Sequence, residues 1–126
     1  MDVQRHLICD AADLKQGESL LVAVNGKEVA LFNIEGRFYA IGNRCPHRSG
    51  PLVRGRVETI PPQGLPGMLP EQAPCVTGCL AVRCPIHGWL FDLNTGNCLT
   101  RVGAGTPAFP ATCDQGKIFI DVPSSS

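Results

Sequence analysis

The chain has 126 residues, 11 of them basic and 11 acidic, so its formal charge at neutral pH is zero. That length predicts one domain over residues 1–126, with a real but modest core. Balanced charge without a basic stripe or a like-charge run excludes nucleic-acid binding and a charged disordered tail, so a partner must be recognised by shape and local charge.

The opening "MDVQRHLICDAADLKQGE" has no basic region followed by an apolar run, so it does not read as a signal peptide. No apolar stretch is long enough for a membrane-spanning helix, and a soluble cytoplasmic protein is expected. A helical turn is predicted around "DAADL" (10–14), too short to matter by itself. "SLLVAVN" (19–25) and "EVALFNI" (28–34) are β-rich runs around Asn25-Gly26-Lys27, a strong hairpin signal because Asn and Gly tolerate positive φ. Glu35-Gly36 turns the chain into "RFYAIG" (37–42), with Phe38, Ala40 and Gly42 on one face and Arg37, Tyr39 and Ile41 on the other. Residues 55 to 82 break the pattern: "IPPQGLPGMLPEQAP" alone holds five of the eleven prolines. Proline cannot donate to a sheet ladder, so an extended loop or insertion is predicted there. Phe91 and Leu93 alternate with Asp92 and Asn94, as in a half-buried strand entering a turn. "ATCD" and "KIFIDV" flank Gln115-Gly116 as a last hairpin. The fold class is all-β.

Seven cysteines is a high, odd count without an export signal, which favours metal ligands and buried thiols over a disulfide framework. Two corners stand out: Cys45-Pro46-His47 and Cys84-Pro85-Ile86-His87. Each offers one thiolate and one imidazole; Pro46 and Pro85 stiffen the backbone, and Gly50 and Gly88 let it pass close to bulky inorganic atoms. Two sulfur and two nitrogen donors suit a zinc ion or a [2Fe–2S] cluster whose second iron has imidazole ligands. Zinc fingers pair cysteine with cysteine and histidine with histidine, often with the histidines on a helix. Here each loop is mixed and no helix follows, which is natural for a binuclear centre gripped between two loops.

"CPHRSGPL" and "CPIHGWLFDLNTG" resemble the C-x-H and C-x-x-H boxes of Rieske-type [2Fe–2S] ferredoxins. "PAFPATCDQGKIFIDV" is similar to their proline-containing loop and final hairpin, so the resemblance spans nearly the whole chain. It implies an antiparallel β-sandwich or barrel with a cluster-binding subdomain formed by two loops. Cys45 and Cys84 would bind the inner iron, and His47 and His87 the outer, partly exposed iron that takes the added electron. The gap between the boxes is longer than is usual in the family. The high-potential branch carries a disulfide and a serine hydrogen bond beside its cluster; this chain has Gly50, Ile86 and Trp89 at those positions. Rieske centres span about −150 to +300 mV, and hydrogen bonds to the sulfurs raise the potential, so a value toward the low end is expected. Neutral imidazoles that keep their outer protons would couple that potential to pH.

The resemblance implies a one-electron carrier rather than an enzyme. It would link a flavin- or NAD(P)H-dependent reductase to a terminal oxygenase or reductase, with no nucleic acid or membrane involved. A near alternative is the small subunit of an NAD(P)H nitrite reductase-like complex. A rival of another class is a structural zinc or interaction module. Of the other candidates, His6 reads as structural or solvent-facing, Cys75 and Cys79 as unligated thiols, and Cys9, Cys98 and Cys113 as core residues. Trp89 is expected to shield one side of the cluster and pack its loop. Asp92 is a candidate ion-pair partner of Arg44 or Arg48.

Overall fold

Three residue–glycine pairs turn the chain back on itself. Asn25 and Gly26 have φ of 51° and 77°, Glu35 and Gly36 have 54° and 84°, and Gln115 and Gly116 have 52° and 77°. Two successive left-handed residues match the right-handed twist of the flanking strands, which is why such pairs select two-residue hairpins. The computed structural model describes residues 3–45, 50–60, 79–86, 88–101 and 104–123.

The first hairpin joins β2 (Ser19–Val24) to β3 (Lys27–Ile34), and the second joins β3 to β4 (Arg37–Gly42). The third joins β9 (Ala111–Asp114) to β10 (Lys117–Pro123). These strands and turns lie where the sequence places them. A strand the sequence reading missed, β1 (Val3–Asp10), runs antiparallel to β10 with a bulge between Leu7 and Cys9. It was illegible because most of its side chains are exposed, leaving no apolar alternation. The short turn after it is a 3₁₀ turn over Ala11–Asp13.

The proline-rich break is narrower than the predicted 55–82. Its ends are β5 (Arg56–Ile60) and β6 (Cys79–Arg83), paired antiparallel from Arg56 opposite Arg83 to Ile60 opposite Cys79. Residues 61–78, which hold the prolines, lie outside the described residues. Strands β7 (Leu90–Asp92) and β8 (Ala108–Phe109) complete the set. Among the described residues, three antiparallel sheets form, in the orders β1-β10-β9, β2-β3-β4-β8 and β5-β6-β7.

Alternation along β3 and β4 sorts side chains into two cores. Val29, Leu31 and Ala40 face Ile118, Ile120 and Val122 of β10. Ala30, Phe32 and Ile41 point the other way, toward Leu52, Val82 and Phe91. A strand covered on both faces reads as an unbroken apolar run rather than an alternation, which explains "EVALFNI". The third sheet repeats the device: Val82 and Phe91 join the second core, while Ala81 and Leu90 pack with Ile60 and Leu99 on the far face. Each large apolar side chain buried in these layers stabilises the fold by about 1.5–3 kcal/mol. Cys98 is a core residue as expected, but Cys9 is only part-buried, at the margin of the core, and Cys113 is exposed because nothing among the described residues covers β9 beyond its first residue. His6 is half-buried on β1, with no hydrogen-bond partner for its buried Nε2.

Candidate metal centre

The first box follows the end of β4. Asn43, buried at 4 % exposure, anchors it. Its backbone N–H donates to the Glu28 carbonyl, its carbonyl accepts from Leu52 N–H at 2.6 Å, and its Oδ1 accepts from Val53 N–H at 2.8 Å. This fixes the 3₁₀ turn over Leu52–Arg54. The Cys45 N–H then donates to the Gly50 carbonyl at 2.9 Å, closing the loop that carries the box.

The second box follows β6. The Cys84 N–H donates to the Trp89 carbonyl at 2.7 Å, and the Gly88 N–H donates back to the Cys84 carbonyl at 3.0 Å. Gly88 has φ of 76°, a left-handed turn that a side chain would strain. Arg83, immediately before Cys84, donates from Nη1 to the Gly88 carbonyl at 2.9 Å and from Nε and Nη2 to the Glu58 carboxylate. The Arg83 hydrogen bond is the main reason the Glu58 carboxyl is held below its ordinary value. The same bond raises Arg83 further above the neutral range.

The loops meet. Cys45 and Cys84 are 1 % and 2 % exposed and belong to the same buried cluster as Leu52, Phe91 and Cys98. Gly50, of the first loop, sits where an added Cβ would lie 2.7 Å from Cys84 Sγ and 2.7 Å from Ile86 Cγ1. So the structure brings together Cys45, Gly50, Cys84 and Ile86. His47 and His87 lie outside the described residues, as do Arg48 and Cys75, and the Cys79 side chain is likewise not described. Among the described residues no set of three or more metal-ligating side chains gathers; the described part of the centre is its two cysteines. Two buried thiols on facing loops, with a glycine holding the space beside one sulfur, fit the sulfur half of a [2Fe–2S] site.

Surrounding residues depart in part from expectation. Arg44 pairs with Glu28 at 3.1 Å on the surface rather than with Asp92. Asp92 Oδ1 accepts from the Asn94 and Thr95 N–H groups, shaping the turn that follows Phe91 and Leu93; its pairing with Arg48 lies outside the described residues. Trp89 packs against the hydrophobic core that contains Cys45 and Cys84, and Arg101 lies over its ring at 5.0 Å. Asn43, Glu58 and Arg83 were missed in the sequence because an asparagine after a strand reads as a turn former, and because a pair 25 residues apart leaves no local signal.

Comparison with known proteins adds the family. Residues 4–65 match the Rieske [2Fe-2S] domain. The 3-phenylpropionate/cinnamic acid dioxygenase ferredoxin subunit of Escherichia coli (strain K12) is 32% identical over 125 residues, 98% of this chain and 98% of that protein. Two solved structures share the fold. A Mycobacterium tuberculosis protein described as an NADH-dependent nitrite reductase small subunit aligns with a TM-score of 0.78 at 24% identity, over 99% of this chain and 100% of that one. The ferredoxin of carbazole 1,9a-dioxygenase from Nocardioides aromaticivorans IC177 aligns with a TM-score of 0.68 at 23% identity, over 96% and 99%. The described residues contain no helix long and apolar enough to cross a membrane. With near-complete coverage by a ferredoxin subunit and both cysteines buried on facing loops, the chain belongs to the Rieske [2Fe–2S] family and takes that family's two-iron cluster.

Proposed function

We propose that this protein is a cytoplasmic one-electron carrier acting as a single unit between a flavin- or NAD(P)H-dependent reductase and a terminal oxygenase. In this reading Cys45 and Cys84 hold one iron of the cluster, and His47 and His87 the other. One observation carries it: the cysteines of the two boxes are buried together, with Gly50 of one loop against Sγ of the other. The oxygenase as acceptor is supported by the relative that is a dioxygenase ferredoxin subunit. When bound, the cluster supplies reversible one-electron chemistry at a potential raised by its neutral imidazole ligands.

The chain's own residues prepare that site. Leu52, Val82 and Phe91 exclude water from the sulfur side, where a desolvated thiolate needs its charge taken up by metal. Exposed Pro85 and Ile86, the latter at 52 %, leave the outer side of the second loop open to a partner. A redox titration followed by visible absorption and electron paramagnetic resonance tests the reading. The expected result is a two-iron centre in the lower part of the Rieske range of about −150 to +300 mV. A colourless protein holding one zinc, with no signal after reduction, would favour the structural zinc module and end the carrier reading. A second reading, a small subunit docked on a nitrite reductase-like complex, has the fold likeness to the M. tuberculosis protein on its side. Purification as a tight stoichiometric complex favours it; a monomer that exchanges partners favours the first.

A further inference from the structure

We propose that Arg83 is a positioning residue for the second ligand loop: its guanidinium, aimed by Glu58, ties the Cys84 end of the loop to its Gly88 end and so supports metal ligation. The inference rests on the ligand assignment above and goes beyond it. Arg83 closes β6 and directly precedes Cys84. The two oxygens of Glu58 take its Nε–H and one Nη2–H. The guanidinium is planar, so this fork leaves Nη1 only one direction to point. That direction ends on the carbonyl of Gly88 at 2.9 Å, the residue after His87. An added Cβ at Gly88 would lie 3.5 Å from Nη1, so the guanidinium rests against the glycine itself.

One side chain therefore braces both ends of the box. It leaves the backbone just before Cys84 and returns just after His87. The two backbone bonds between Cys84 and the Gly88–Trp89 segment close the base of the same loop. An exposed ion pair would contribute little. This one differs in three ways: its side chains are 39 % and 21 % exposed for Arg83 and Glu58, the pairing is two-pronged, and an Nη1–H of the same guanidinium is spent on the ligand loop. If Arg83 served only to join β5 to β6, altering it would change stability and leave the metal centre's spectrum as it was.

Arg83→Lys separates these roles, because lysine keeps the charge but cannot reach both Glu58 oxygens and the Gly88 carbonyl in one fixed geometry. The expected result is altered g-values in the reduced protein, and release of iron to a chelator about ten- to a hundredfold faster, as when groups supporting metal ligands are lost. Glu58→Gln, which leaves Arg83 in place but loosens its aim, should shift both readouts in the same direction by less. Wild-type g-values and release rate in Arg83→Lys overturn the proposal. If that variant does not fold, the same wild-type result in Glu58→Gln overturns it. Wild-type protein that lacks a two-iron spectrum altogether overturns the ligand assignment on which the proposal stands.

Discussion

Gly50 is required for its lack of a side chain rather than for an unusual backbone, since its φ is not in the left-handed region. A methyl group there would collide with Cys84 Sγ and Ile86 Cγ1, both at 2.7 Å; the exposed Ile86 can turn away, but the Cys84 thiol is buried in the core. Gly50→Ala is expected to keep its strand content by circular dichroism while losing most of its iron and acid-labile sulfide. A full complement of both would show that the loops have more room than their packing indicates. Cys45 and Cys84 were legible as a pair because two boxes repeat one motif. Asn43 was not, because its worth lies in three bonds to residues its neighbours in sequence do not reveal. Cys113 shows the converse error: apolar by type, it was assigned to the core, yet its strand leaves it facing outward.

Among the elements, the hairpins were the most legible, since a residue–glycine turn is chosen by φ alone and needs no distant partner. The β5–β6 pairing was hidden because prolines between the strands masked them, and because its cross-strand tie, Glu58 to Arg83, is long-range. That tie has a pH signature. Because the folded Glu58 carboxyl sits below its ordinary value of 4.5, the unfolded chain takes up a proton first as pH falls. The stability it supplies is therefore complete above 4.5 and disappears as pH falls through the lowered folded value. Thermal midpoints of wild type and Glu58→Gln should differ at neutral pH and converge in acid. A constant gap at all pH values would remove Glu58 from the account.

Across the whole molecule, the β2-β3-β4-β8 sheet serves two cores at once, one closed by β10 and one lying under the two cysteine loops. Leu52→Ala and Ile120→Ala remove fully buried side chains from different sides of that sheet, and each should cost about 2–5 kcal/mol by denaturant titration. Only Leu52→Ala should also hasten loss of the two-iron absorption, because only Leu52 packs in the cluster of Cys45 and Cys84. Equal loss from both variants would mean that the metal centre depends on global stability rather than on its own core.

The amino-acid sequence alone determined the turns, most of the strands, the family resemblance and the pair of ligand boxes. Each of these is written in contiguous residues: φ preference, period-two patterning, or a short motif. The tertiary structure decided the rest: the docking of β1 on β10, the closure of β5 on β6, the choice of Glu28 over Asp92 as the partner of Arg44, and the contact of Gly50 with Cys84. These join residues far apart in the chain, and such pairings are fixed by which faces must leave water together, a property no local stretch carries.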